Sequence, residues 1–118
     1  MKDEDKIYLK HVLESISEIE NSLKVISKEE FKKNKDKQDA TLRRIEVVGE
    51  AVKNVSDELK REHSEIEWKK IAGARDVLIH AYFSVDLDLV WKIIEKDLPE
   101  LKEKIKKILK GGRKRKSL

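Results

Sequence analysis

An all-α fold is what the sequence predicts: an antiparallel bundle of four main helices with short helices between them. Three observations carry it. Apolar residues recur at three- and four-residue steps through most of the 118 positions, with no strand-like alternation and no internal repeat. Gly is scarce and Pro99 is the only proline, which leaves few of the turns a sheet needs. The chain holds only two Trp, two Tyr and two Phe against 38% hydrophobic residues, so its core must be built from Leu, Ile, Val and Ala. The length suits one domain and is too short for two independent cores. Residues 1–110 are expected to form the helical domain and 111–118 a flexible basic tail.

Each element follows from its own signals. Ile7, Leu9, Val12, Leu13, Ile16, Ile19, Leu23 and Ile26 define a first helix over about residues 4–26. Ser27 followed by Glu30 fits a capping box that opens a short helix around Phe31, and the polar stretch Lys32 to Asp39 then turns the chain. Leu42, Ile45, Val48, Val52, Val55 and Leu59 share one face of a long third helix, in which Ala40, Gly49 and Ala51 allow close approach of a neighbour. Glu50 lies in that apolar neighbourhood, either as a satisfied edge residue or as a lone acid. Ser64 with Glu67 forms a second capping box, Trp68 plugs the core, and a helix runs from Lys69 to about Tyr82 with Ile71, Val77, Leu78 and Ile79. After FSVD, Asp86 caps a helix bearing Leu87, Leu89, Val90, Trp91, Ile93 and Ile94. Pro99 is unfavourable in a helix interior but suits a first turn, so a new helix starts there or the preceding one kinks. Leu101, Ile105, Ile108 and Leu109 continue the stripe to Gly111.

Composition excludes several chemistries. With no cysteine, disulfides, thiolate zinc sites and cysteine nucleophiles are ruled out. No apolar run reaches the ~18 residues that span a membrane, and MKDEDKIYLK is too charged for a secretory signal. A cytoplasmic protein without membrane partners is expected. Charged residues reach 44%, and the many Lys and Glu with one Gln resemble heat-adapted proteins. The formal charge of +4 is unevenly placed, since GGRKRKSL holds four basic residues and no acid. Such a run either attracts nucleic acid without regard to sequence or simply solvates a frayed end.

There is no Gly-rich phosphate loop, HExxH, nucleophile elbow or EF-hand loop. His11, His63 and His80 have no metal-ligand spacing between them, so no metal and no cofactor are expected. His11 is a boundary residue on an amphipathic helix, and His63, inside REHSE, should be solvated. His80 differs, because it sits in RDVLIHAY between an Arg, an Asp and a Tyr, in the most apolar stretch of the chain. On a helix turning about 100° per residue, with Arg75 as origin, Asp76 falls near 100°, His80 near 140° and Tyr82 near 340°. Asp76 and His80 are therefore neighbours, while Arg75 and His80 of one helix diverge. Two copies of the helix crossing at a two-fold axis could bring Arg and His together from different subunits. Such a dimer is a hypothesis about the site; alternatively, Arg, His and Tyr near a helix end are dipole partners and interface hydrogen-bonders.

The string Arg75-Asp-Val-Leu-Ile-His80-Ala-Tyr82 resembles the R-x4-H-x-Y signature of HEPN proteins, in particular the HepT branch. VVGEAVKNVSDEL (47–59), IEWKKIAGARDVLIHAYFSVD (66–86) and LVWKIIEKDLPELKEKI (89–105) resemble the family's flanking segments in its order. The resemblance implies a helical, dimeric, metal-independent endoribonuclease toxin that acts on RNA. It also implies a partner nucleotidyltransferase, MntA-like, that neutralises it by adding AMP to the motif tyrosine. Arg75 and His80 would then be catalytic, Asp76 supporting, and Tyr82 both supporting and the modified residue. Two positions depart from the pattern, Ala81 where the family often has Gly and Asp76 where Asn is common. A carboxylate at 76 could orient His80 yet would repel phosphate.

Such chemistry suits these side chains. Cutting RNA without a metal uses the substrate's 2′-hydroxyl as nucleophile. Histidine, with a reference pKa of about 6.5, can take or give the proton. Arginine stays charged and grips phosphate oxygens with two parallel donors. His80 is assigned as base, or as acid toward the leaving 5′-oxygen, and Arg75 as the charge facing the phosphorane. The rival expectation is a non-catalytic HEPN dimer that binds RNA or a nucleotidyltransferase.

Overall fold

A computed structural model describes residues 1–74 and 86–111 of the chain, and these are helical with connecting turns and no strand. Helix α1 (Asp3–Ser22) and helix α3 (Lys35–Asn54) are each 20 residues long. They lie antiparallel, because each end of α1 is tied to the opposite end of α3. At one end the Asp5 carboxylate accepts from Ser56 N–H at 2.8 Å and from its hydroxyl at 2.6 Å. At the other, Lys37 Nζ donates to the Ser22 carbonyl at 2.9 Å.

The first helix stops at Ser22, short of the expected residue 26. Leu23 leaves helical geometry and turns into the core, and Lys37 satisfies the carbonyl thus freed. Leu9, Val12, Ile16 and Ile19 are fully buried as the periodicity requires, but Ile7 is 52% exposed. Two residues from Leu9 is about 200° around a helix, so Ile7 faces away, and Asp5 takes the inward position one turn earlier.

Helix α2 (Lys28–Lys33) opens on the expected capping box: Glu30 N–H donates to Ser27 Oγ at 3.1 Å, and Ser27 N–H to Glu30 Oε1 at 2.8 Å. The polar stretch 32–39 is mostly helix rather than turn. Asn34 alone separates α2 from α3, and its side chain accepts from Lys37 N–H at 3.0 Å. Gln38 is buried and caps the end of α2, its amide donating to the Phe31 and Lys32 carbonyls. Helix α3 ends before the expected Val55–Leu59 portion of its stripe. Val55 is extended, and Ser56 begins α4 (Asp57–Glu62) by accepting from Leu59 N–H. Val55 and Leu59 nevertheless remain in the core.

Helix α5 covers 68–74 among the described residues. The expected Ser64–Glu67 cap is absent, because the helix starts only after Glu67, whose carbonyl accepts from Ile71 N–H at 3.1 Å. Trp68 is buried as expected, and its indole N–H donates to the His63 carbonyl at 3.0 Å. The expected continuation toward Tyr82 lies outside the described residues.

Helix α6 (Leu87–Lys92) begins at Asp86, which accepts from Leu89 N–H at 3.1 Å as expected. It runs on through a π turn (Ile93–Asp97) into α7 (Leu98–Leu109). The Pro99 alternative is thus resolved within a continuous helix. The widened turn, in which Leu98 N–H reaches the Ile93 carbonyl, precedes a residue that lacks an N–H and whose ring crowds the helix behind it. Ile93 and Leu98 would point about 140° apart on an ideal α-helix, yet both are buried. The π turn restores the stripe, which continues through Leu101, Ile105 and Ile108. Helix α7 packs against α1, where Lys102 Nζ meets Glu20 Oε1 at 2.8 Å.

Candidate active site

Arg75, Asp76, His80 and Tyr82 lie outside the described residues, as do Ala81 and the FSV of the turn before Asp86. The structure does describe both supports of this segment. On the entering side, α4 ends at His63, whose N–H donates to the Leu59 carbonyl and whose own carbonyl accepts from Ile66 N–H and the Trp68 indole. Ile66 and Trp68 are buried, and Ile71 and Ala72 pack against the core. These contacts fix α5 up to Ala74.

On the leaving side, three features fix α6. Asp86 caps it, Val90 is buried, and the rings of Phe31 and Trp91 pack with centroids 5.2 Å apart. Asp88 also reaches across to α2, where Lys28 Nζ lies at 2.9 Å and Lys32 Nζ at 3.2 Å. The hydrogen bond from Lys28, then that from Lys32, holds the Asp88 carboxyl below its ordinary pKa, and the same Asp88 contact raises Lys28.

An apolar groove runs between these supports. Ile45 and Val48 of α3, Ile71 and Ala74 of α5, and Leu89 and Ile93 of the last helix are among its lining residues, together with the charged Lys70, Asp97 and Lys104. Its walls come from α3 and from the elements that enter and leave the segment 75–85.

The other histidines divide. His11 is exposed on α1. His63, expected to be solvated, is only 4% exposed, with Nδ1 at 3.6 Å from Glu65 Oε2. REHSE reads as polar, but His63 is the residue on which α4 ends, and the capping bonds of its backbone pull it inward. Glu50 is exposed on α3. Among the described residues no group of three His, Asp or Glu side chains converges as a metal site would. No helix among them is long and apolar enough to cross a membrane.

Sequence reasoning missed the buried polar staples, above all Asp5. A signal existed, since Asp5, Leu9 and Val12 follow helix spacing on the inward face. An acid at such a position requires a partner.

Comparison with known proteins agrees with the family resemblance. The HepT-like ribonuclease family matches residues 12–108. A Methanocaldococcus jannaschii protein named "Gamma-glutamylcyclotransferase and putative RNase" is 48% identical over 109 residues, 92% of this chain but 49% of that protein. "Probable ribonuclease HepT" of Thermococcus cleftensis is 44% identical over 110 residues, 93% of this chain and 100% of that one. The chain thus spans about half the length of the first relative and all of the second. No solved structure matches the chain. The chain belongs to the HepT-like ribonuclease family.

Proposed function

We propose that the chain is a metal-independent endoribonuclease toxin that cuts RNA through attack of the substrate's own 2′-hydroxyl. One observation carries this: the string Arg75-x4-His80-x-Tyr82 lies inside the stretch, 12–108, that matches the ribonuclease family. His80 takes the 2′-hydroxyl proton or gives one to the leaving 5′-oxygen. Arg75 stabilises the charge gathering on the phosphorane with paired donors. The products are a 2′,3′-cyclic phosphate and a 5′-hydroxyl end. The acting unit is a homodimer, in which the arginine of one subunit faces the histidine of the other.

Tyr82 is the point of control in this reading. An MntA-like nucleotidyltransferase adds AMP to its hydroxyl, placing bulk and negative charge in the path of the RNA, as a phosphate would. Tyr82→Phe should retain part of the cleavage and acquire no AMP when co-expressed with such a partner. AMP on that variant at wild-type level, read by mass spectrometry, would move the assignment to another residue.

The decisive experiment is cleavage of bulk RNA in EDTA by wild type, Arg75→Ala and His80→Ala. Wild type should cut and leave cyclic-phosphate ends, and each variant should lose about 10²–10⁴-fold in rate with its circular dichroism unchanged. Activity abolished by EDTA and restored by added metal overturns the mechanism. Asp76 favours a second reading, a dimer that holds RNA or the nucleotidyltransferase without cutting, since its carboxylate repels phosphate. Under that reading wild type binds RNA and leaves it intact.

A further inference from the structure

The apolar groove has a length and a charge pattern that suit a helix of another protein. On the last helix its lining runs from Leu89 to Lys104, about 22 Å at 1.5 Å per residue. Helices α5 and α3 add Ile71, Ala74, Ile45 and Val48. Ile71, Ala74 and Leu89 are only half-buried, so the groove leaves apolar surface in water. Its volume is about 200 Å³, and a cavity of about 150 Å³ admits a benzene ring. Spread over such a length, that space takes a row of a few side chains better than one compact molecule. Among the described residues, five that line it are charged: Glu67, Lys70, Asp97, Glu100 and Lys104. Both ammonium groups are engaged, Lys70 with Glu67 at 3.6 Å and Lys104 with the Glu65 carbonyl at 3.3 Å. The Asp97 and Glu100 carboxylates have no ion pair or hydrogen bond among the described residues. Three positions apart, they stand one turn from each other on one side of the helix. Two uncompensated carboxylates beside apolar side chains disfavour the phosphates of RNA. They favour a partner that presents apolar and cationic side chains together.

We propose that the groove binds an amphipathic helix of a partner protein. The apolar stripe of that helix lies against Ile71, Ala74 and Leu89, and its lysines or arginines meet Asp97 and Glu100. A helix covers the groove in about four turns and turns side chains at i, i+3, i+4 and i+7 toward it. Apolar contact supplies the affinity, and the two carboxylates select the sign of the flanking charge. A helix seated there bridges α3, α5 and the last helix, all of which line the groove. The docking needs neither Arg75 nor His80, so it stands whether or not the chain cuts RNA.

Fluorescence anisotropy of labelled synthetic helices tests the docking. The probe has about 16 residues, with leucines at i, i+3, i+4 and i+7 and lysines elsewhere. A twin carries glutamates in place of the lysines, and a third peptide holds the leucines and lysines in scrambled order. Wild type should bind the leucine–lysine helix and hold the other two about 10-fold more weakly. Asp97→Lys with Glu100→Lys should reverse the preference in favour of the leucine–glutamate helix, a result that a folding defect cannot produce. Ala74→Gln, which sets a polar side chain in the groove, should weaken both helices. Glu4→Lys with Glu14→Lys makes the same change of charge at exposed positions of α1 and should leave the wild-type preference. Equal binding of the scrambled peptide overturns the docking, as does a control pair that shifts the preference as far as the groove pair. Should the groove pair fail to fold, Ala74→Gln decides, and undiminished binding there is fatal. Displacement of the helix by single-stranded RNA at low salt would make the groove an RNA track instead.

Discussion

Asp5 does two things with one carboxylate. One oxygen accepts from the Ser56 backbone and the other from the Ser56 hydroxyl, which in turn caps α4. Hydrogen bonds to a charged group are worth about 1.5–3 kcal/mol, so Asp5→Ala should lower stability by about 2 kcal/mol, read as a fall in the urea midpoint. Asp88 offers a contrast, because it and its lysine partners are exposed, where ion pairs contribute little. Its depressed pKa means that the stabilisation it gives is present above the usual carboxylate range and fades as pH falls through its titration. The raised Lys28 sets the other limit, since its share is present below the usual lysine range and is lost as pH rises through it. Asp88→Asn should therefore lower Tm slightly and evenly between roughly pH 5 and 9. The difference from wild type should vanish in strong acid. A difference that persists there would assign the loss to packing. Asp86 and Trp68 can be read from the sequence by position alone, the first as a cap and the second as a core residue. Asp5 and His63 were hidden, since the burial of one depends on a partner 51 positions away and that of the other on a helix ending.

At the scale of elements, local signals were legible where chemistry is local. Ser27–Glu30 and Asp86 are caps that a reader can place from residue type, and the structure has both. Ser27→Ala removes an acceptor from the first turn of α2 and should cost about 1 kcal/mol in urea unfolding, with the Phe31–Trp91 contact retained. A cost near zero would mean that Phe31, Gln38 and the Asp88 contacts hold α2 in place without the cap. Boundaries set by distant partners were not legible. Asn34 starts α3 within a stretch that reads as a turn, because Gln38 folds back onto carbonyls of α2. Ser64 and Glu67 have the letters of a cap but not its place, because the Trp68 indole holds the chain to His63 instead. Pro99 announced a disturbance, and only the requirement that both Ile93 and Leu98 be buried decides that it takes the form of a wide turn.

For the whole molecule, the all-α architecture was legible because 3.6-residue periodicity and scarce Gly and Pro act along the entire chain. The proposed site rests on a string of letters whose residues lie outside the described ones, and the pairing of subunits proposed for it is a property of two chains. That pairing has a direct test. If arginine and histidine act from different subunits, neither Arg75→Ala nor His80→Ala cuts RNA alone, but each mixed dimer keeps one intact site. Random exchange should then restore about a quarter of wild-type activity, and a mixture that stays inert would place both groups in one subunit. The two ends of the chain carry a practical consequence for anyone preparing such mixtures. The carboxylate fastening α1 to the start of α4 is buried four residues after Met1, so an affinity handle joined directly to Met1 crowds the fastening. A handle on the opposite end adds its own charge beside the cations of 113–116. A neutral spacer before Met1, cut away after purification, leaves both features intact.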